Sequence, residues 1–198
     1  APYFVQKFRC ENALKEAARR KEIEAVIIQP ASVFGRFGEE GWCQLFKKLK
    51  DTNGSIPAFP GRSSFVDVQE LARVFRAAAD VGQGSGETYL VGGENREAIE
   101  MFRIMSALVG VPAPTRAVPA FVLWTLAYWN EILLNLGTPF THLRIKKDTI
   151  ATPLLCAKIL QDQTCDSTKA IRKLGYKVVG LREMLERNHR WLRENARL

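Results

Sequence analysis

Tyr3 and Lys7 are the residues near the start of this chain whose types and spacing suit acid/base chemistry. Four residues apart on a helix, they lie one turn above each other on the same face, so the ammonium can act on the phenol. An isolated phenol titrates at about pH 10 and is protonated at neutrality. A fixed cation beside it favours the phenolate and brings the group into the range of a general acid/base.

The elements around this pair are those needed to position it. Lys7 to Lys21 is a helix-forming run that ends in the charged turn Arg19-Arg20-Lys21-Glu22, and Ala25-Val26-Ile27-Ile28 is a β-branched run suited to a buried parallel strand. Pro30-Ala31-Ser32-Val33-Phe34-Gly35 follows as its exit loop. Such a loop, just outside the carboxyl end of a parallel strand, is where doubly wound α/β folds bind ligands. Further on, Glu39 to Lys50 reads as a helix with Trp42, Leu45, Phe46 and Leu49 on one side, and Asn53-Gly54 and Pro57 to Gly61 read as loops. Asp67 caps the next helix, with Glu70 completing a capping box and Leu71, Val74, Phe75 and Ala78 facing inward. A strand at Glu87 to Val91 is preceded by Gly82, Gly84 and Gly86, which read as a turn because they lie between a helix and a strand, the reverse of a phosphate loop. Glu97 to Val109 is a helix with Met101, Ile104 and Leu108 in register, ended by Pro112 and Pro114. Leu181 to Asn195 closes the chain with Met184, Leu185, Asn188 and Leu192 on one stripe.

In this order the motifs resemble the extended branch of the short-chain dehydrogenase/reductase superfamily, which includes NAD-dependent epimerases and dehydratases, dihydroflavonol reductases and 3β-hydroxysteroid dehydrogenases. Tyr3 and Lys7 match its Tyr-x-x-x-Lys pair, and Glu11 stands where these proteins often carry an acidic residue. Pro30 to Gly35 is similar to the family's Arg-Pro-x-x-Val-Tyr-Gly segment, with Gln29 in place of the Arg. Phe65-Val66-Asp67-Val68 with Leu71-Ala72 is similar to its Val-x-Asp-Val-Ala helix start. Asp166-Ser167-Thr168-Lys169-Ala170 with Leu174-Gly175-Tyr176 resembles its Asp-x-Ser-Lys-Ala-x-x-x-Leu-Gly-Tyr segment. The family's glycine fingerprint and catalytic Ser or Thr normally lie upstream of the Tyr, so the resemblance implies a C-terminal portion that lacks the glycine-loop half. It implies an α/β fold: the C-terminal part of a Rossmann-type doubly wound parallel sheet with an interleaved small, mostly helical substrate-binding domain. Dinucleotide-fold elements would occupy about 1–35 and 64–92, and substrate-domain elements about 36–63 and 93–198. Cut off from neighbouring strands, these 198 residues alone are expected to bind neither NAD nor NADP with useful affinity and to be poorly soluble or partner-dependent.

Composition narrows the alternatives. With 46% hydrophobic and 25% charged residues, the 198-residue chain can bury a core and is not a disordered tail. The formal charge of +8 is scattered over Lys15 to Lys21, Lys47 to Lys50 and Arg182 to Arg197 without a basic stripe of interleaved aromatics, which argues against nucleic acid. Cys10, Cys43, Cys156 and Cys165 have no Cys-x-x-Cys spacing, and only His142 and His189 stand beside them, so buried free thiols are expected and no metal. That pattern points to a reducing intracellular compartment, cytoplasmic or organellar (mitochondrion or plastid). Val118 to Leu136 is rich in apolar and aromatic residues, but Asn130, Glu131 and Asn135 leave it short of the roughly 20 residues of a transmembrane span. It reads as an amphipathic helix packed into a core or over a substrate pocket, or as one facing a membrane surface or partner.

The resemblance implies an NAD(P)-dependent oxidoreductase or epimerase/dehydratase-type enzyme acting on a hydroxyl or carbonyl of a small molecule. Tyr3 would be the general acid/base. Lys7 would lower its pKa and bind the nicotinamide ribose, and Pro30, Ala31, Ser32 and Val33 would hold the nicotinamide of NAD or NADP. Phe34, the loops at Gly35 to Trp42 and Pro57 to Arg62, and the aromatic helix around Trp124 would line the substrate pocket, with a slight lean toward a flavonoid, sterol or lipid-like alcohol over a nucleotide sugar. The competing expectation is a non-catalytic structural subunit that keeps the fold, as in a respiratory complex. A homodimer or a protein-complex partner is compatible with either.

Overall fold

The computed structural model describes residues 2–38, 41–81, 86–135 and 153–198. Gly82, Gly84 and His142 lie outside these described residues. Along the chain come α1 (Pro2–Arg19), β1 (Val26–Pro30), β2 (Ser32–Phe34), a 3-10 turn at Gly41–Cys43, α2 (Gln44–Asp51), β3 (Arg62–Asp67) and α3 (Val68–Val81). They are followed by β4 (Glu87–Val91), β5 (Asn95–Glu97), α4 (Ala98–Val109), α5 (Ala120–Asn135), α6 (Pro153–Ile159), α7 (Thr168–Leu174) and α8 (Leu181–Glu194).

The β-branched run becomes β1 and pairs parallel with β4, Val26 opposite Glu87 through Pro30 opposite Val91. Proline carries no N–H, so the ladder cannot continue through residue 30 in the same way. The amide of Ala31 makes one last bond to the carbonyl of Val91 (2.8 Å), and the chain then changes partner. Ser32–Phe34 pairs parallel with β3, Ser32 opposite Phe65 and Phe34 opposite Asp67. β3 in turn pairs antiparallel with β5. The stretch expected as an exit loop is thus a short strand, set by tertiary pairing that local composition does not report.

Two apolar clusters follow from this split. One lies beneath β1 and β4: Val66, Leu71, Val74, Tyr89, Val91, Ala170 and Tyr176, with Val26, Ile28 and Leu174 packed at its margin. The larger joins Phe34, Phe46, Leu49 and Phe65 to α4, α5 and α8. The parallel pairs and the helical lobe are those of the expected α/β class. α7, placed with the substrate part by sequence, packs against β4 and α3. Phe75, expected to face inward, is exposed. Its helix turns Leu71, Val74 and Ala78 toward the core and leaves Phe75 at the mouth of a cleft with Val26 and Ile28. Cys10 is exposed, against the expectation of buried thiols, whereas Cys43 and Cys156 are buried.

The capping box is half realised. Asp67 Oδ1 accepts the amides of Gln69 (2.9 Å) and Glu70 (3.3 Å), but the Glu70 carboxylate pairs with Arg73 instead of returning to the cap. The segment from Asp166 to Tyr176 acts as a fastener for β4. Asp166 caps α7 through the Thr168 amide (2.9 Å), and Lys169 donates to the Thr88 carbonyl (2.8 Å) while its ammonium sits 4.7 Å from the centre of the Tyr89 ring. Ser167 Oγ accepts the Gly92 amide (2.7 Å) and donates to the Gly92 carbonyl (2.9 Å). Gly175 ends α7 in the left-handed conformation, and Tyr176 is buried behind it.

Two consequences are measurable. Ser167→Ala leaves both backbone groups of Gly92 buried without a partner and should destabilise the fold by about 2–3 kcal/mol in urea unfolding. Burial, reinforced by the Glu70 carboxylate, pushes the Tyr176 phenol from 10.0 up to about 12. Because the neutral form is favoured in the folded state, that stability is whole below pH 10 and is lost as pH rises through about 12. Unfolding midpoints of the native chain should fall over that interval, by up to about 2.7 kcal/mol, and those of Tyr176→Phe should fall less.

Candidate functional site

α1 lies against the β1–β4 pair at two points. At its C-terminal end Ala18 is buried beside Gly86, whose amide bonds to the Ala25 carbonyl (2.7 Å) at the start of both strands. Nearer its middle, Glu11 Oε2 accepts from Gln29 Nε2 (2.6 Å), and Glu11 Oε1 takes the Lys15 ammonium (2.5 Å). The helix therefore runs antiparallel to β1, and residues before Glu11 advance beyond the strand's carboxyl end. With a rise of about 1.5 Å per residue, the backbones of Lys7 and Tyr3 stand roughly 6 and 12 Å past Glu11. The N-terminal turns of α1, with Lys7, thus lie on the side of Glu11 away from the start of β1. The Lys7 side chain is exposed, and that of Tyr3 lies outside the described residues.

The Pro30–Val33 segment presents little side chain. Pro30 is exposed, Ala31 and Ser32 are half-buried and Val33 is 36% exposed. Behind it β4 leads into Gly92-Gly93, which pass so close to β3 that neither position has room for a side chain. A Cβ on Gly92 would stand 2.5 Å from Ser64 Oγ, and one on Gly93 would strike the Phe65 carbonyl oxygen. Beyond the segment, Gly35 has φ of 141°, and a Cβ there would collide with Val68 at the start of α3. Its carbonyl accepts from Asn188 Nδ2 (2.8 Å), a fully buried amide on the apolar stripe of α8. Cys43 joins this cluster, and burial raises its thiol pKa against the opposing hydrogen bonds from the Gly35 backbone and Asn188. α8 is fixed in turn by Glu94, whose Oε2 accepts the Leu181 amide (3.1 Å), and by Arg187, 3.6 Å from Asp67.

Comparison with known proteins adds a fold. No family model matches the chain, and no curated protein matches it. Solved structures match along its length. The protein solved as gox2253 is 25% identical over 100% of this chain and 58% of its own, with a TM-score of 0.73. A nucleoside-diphosphate-sugar epimerase from Pseudomonas aeruginosa is 23% identical over 100% of this chain and 57% of its own, with a TM-score of 0.71. A UDP-glucuronic acid 4-epimerase from Bacillus cereus, solved with UDP-glucuronic acid and NAD, is 17% identical over 98% and 53%, with a TM-score of 0.66. The chain has the fold of the C-terminal portion of the extended short-chain dehydrogenase/reductases. It spans a little over half the length of these structures.

Within the extended dehydrogenase/reductase fold, the three further residues named from sequence fall in three different settings. Phe34 is 0% exposed and meets Phe65 edge-on (5.3 Å between ring centres), so it builds the core under the segment rather than a pocket wall. Arg62 is exposed at the first residue of β3, with its guanidinium on the Asn95 carbonyl (3.3 Å) and its amide on Asp162 Oδ1 (2.9 Å). Register places it three residues, about 10 Å, before the Ser32–Phe65 pair. Trp124 is half-buried on α5 and stacks on Tyr128 (5.6 Å). What sequence reasoning did not connect were Glu11 with Gln29, although each was noted separately, and the Gly92–Ser167 fastener. The doublet Gly92-Gly93 directly after a strand was the available sign of the second.

The Glu11–Gln29 contact carries the alignment of α1 and is testable by itself. In a double-mutant cycle of Glu11→Ala and Gln29→Ala, read by urea unfolding, a coupling of about 1–2 kcal/mol is expected. Additive effects would show that α1 is held elsewhere.

Proposed function

We propose that this chain supplies the acid/base pair and the nicotinamide-facing segment of an NAD(P)-dependent oxidoreductase or epimerase/dehydratase-type enzyme acting on a hydroxyl or carbonyl of a small molecule. The observation that carries the reading is the antiparallel seating of α1 on β1 by Glu11 and Gln29; on this reading the helix would carry the Tyr-x-x-x-Lys pair toward the carboxyl ends of β1 and β4, where α/β folds bind ligands. The fold supports it, and so do the neighbours solved with NAD and a nucleotide sugar.

The residues of the Pro30–Val33 segment suit a flat, partly apolar ring. The segment is made of small or short side chains, and Gly92-Gly93 behind it hold the backbone close to β3. Pro30, Ala31, Ser32 and Val33 would hold a nicotinamide by backbone and apolar contact, with the Ala31 amide already committed to Val91 and so serving to fix the segment. The cofactor, NAD or NADP, would accept or return a hydride. Tyr3 would take the proton from the substrate hydroxyl, or return it to the carbonyl. Lys7, one turn away, would favour the phenolate that makes this possible and would bind the nicotinamide ribose. A glycine-loop half, on the same polypeptide or another, completes the proposal, in keeping with the share of the solved neighbours that this chain spans.

As to substrate, Arg62 and Trp124 would contribute at the edge of the helical lobe, and the apolar faces of that lobe favour a lipid-like alcohol over a nucleotide sugar. The second reading, a structural subunit without turnover, draws on the exposed aromatic face of α5. A protein that binds dinucleotide but turns over no alcohol or carbonyl substrate would favour it. In the catalytic reading, Tyr3→Phe and Lys7→Ala in the full-length protein should each lower kcat by orders of magnitude, and the double variant should lose little more than either alone. Wild-type turnover in Tyr3→Phe would remove the assignment.

A further inference from the structure

Asn53-Gly54 is the only Asn-Gly step in the sequence, and it stands where α2 ends. The backbone nitrogen that follows an asparagine can attack the side-chain carbonyl carbon. A C–N bond forms to the main chain, the carboxamide C–N bond breaks and ammonia leaves. Water then opens the resulting imide on one side or the other, giving aspartate or isoaspartate. No oxidant, cofactor or second protein is consumed. Glycine in the following position favours the attack, because no Cβ crowds its nitrogen.

The fold withholds that nitrogen. The Gly54 amide donates to the Leu49 carbonyl (2.8 Å), the Asn53 amide to the Lys50 carbonyl (3.2 Å) and the Thr52 amide to the Lys48 carbonyl (3.0 Å), which together close the end of α2. Asn53 and Gly54 both hold positive φ, 48° and 78°, the left-handed backbone that such caps use. Leu49 is fully buried in the larger apolar cluster, so the accepting carbonyl belongs to a fixed turn of the helix. On its other side Gly54 lies against the backbone of Pro112, where a Cβ would strike the Pro112 carbonyl oxygen. Asn53 itself is exposed. The restraint is thus on the attacking nitrogen, not on access to the carboxamide.

We propose that Asn53-Gly54 is a latent deamidation site, kept slow by the cap of α2 and released when that cap opens. Attack needs the Gly54 nitrogen stripped of its proton, so the bond to Leu49 has to break first. The isoaspartate product does not fit the native cap. It routes the main chain through the side-chain carbon and adds a methylene between the Leu49 bond and the Pro112 contact, which the native chain satisfies at once. Each opening that reacts in this way is a one-way loosening of the helix that buries Phe46 and Leu49.

The test incubates the full-length protein at mildly alkaline pH, folded and in urea, beside a synthetic peptide of residues 51–62. Peptide mapping by mass spectrometry follows the exchange of NH for O at Asn53. The folded protein should react at least about tenfold more slowly than the peptide, and the unfolded protein should match it. Below the unfolding midpoint, added urea should raise deamidation and hydrogen exchange of the Gly54 amide together, since both need the same amide released. The isoaspartyl form, separated by ion exchange, should unfold at a lower urea midpoint than the parent. Three results would overturn the proposal: deamidation of the folded protein at the rate of the peptide, a Gly54 amide without exchange protection, or an isoaspartyl form as stable as the parent.

Discussion

The arrangement depends on one change of partner in the backbone. At Pro30 the β1–β4 ladder ends, the Ala31 amide closes it on Val91, and within one residue the chain is bonded to β3. A strand that continued straight would have kept its side chains on one sheet. The change divides the apolar interior into two clusters and leaves the turning segment at the carboxyl end of the β1–β4 pair and the amino end of the β2–β3 pair. In an open α/β sheet the carboxyl end is where ligands are bound, because strand ends splay and backbone groups there are free to meet them.

Everything close to that segment serves to keep it in place. Gly92-Gly93 let β4 pass over β3 at a separation that no side chain would permit, and Ser167 holds Gly92 through both of its backbone groups. On the other side Asn188 holds the Gly35 carbonyl from a helix whose first turn is capped by Glu94 and whose middle is tied to Asp67 by Arg187. These are buried, directional contacts, which are costly to leave half-made and therefore specify a single geometry. Helix α8, more than 150 residues away in sequence, is thus part of what holds the end of this segment.

Much of this was legible in the sequence where local chemistry decides. The strand at Glu87 to Val91 and the helices at 98–109 and 181–194 follow from apolar period, and the Asp67 cap from its side chain two and three residues ahead of the amides it accepts. What escaped was set by distant parts of the chain. Ser32–Phe34 has no strand character of its own strong enough to override the proline before it, and becomes a strand because Phe65 and Asp67 lie opposite. Phe34 looked like a pocket residue from its place after the loop, yet the alternation that this pairing imposes sends it into the core. Phe75 was assigned inward by helical period, but the surface it covers is only the margin of the cluster formed by β1, β4 and α7.

Gln29, which stands where the resembling motif has an Arg, divides between two residues what one Arg could do. An Arg there would offer Glu11 both a hydrogen-bond donor and a neutralising cation in one group. Here the two tasks are separated: Gln29 supplies the donor from β1, and Lys15, one turn along α1, supplies the cation from the same helix as the carboxylate. The tie between helix and strand is then a charge-assisted hydrogen bond with a neutral partner, and the ion pair is local to α1. Gln29 thus ties the helix that carries Tyr3 and Lys7 to β1, while the neutralising cation for Glu11 comes from Lys15 on the same helix.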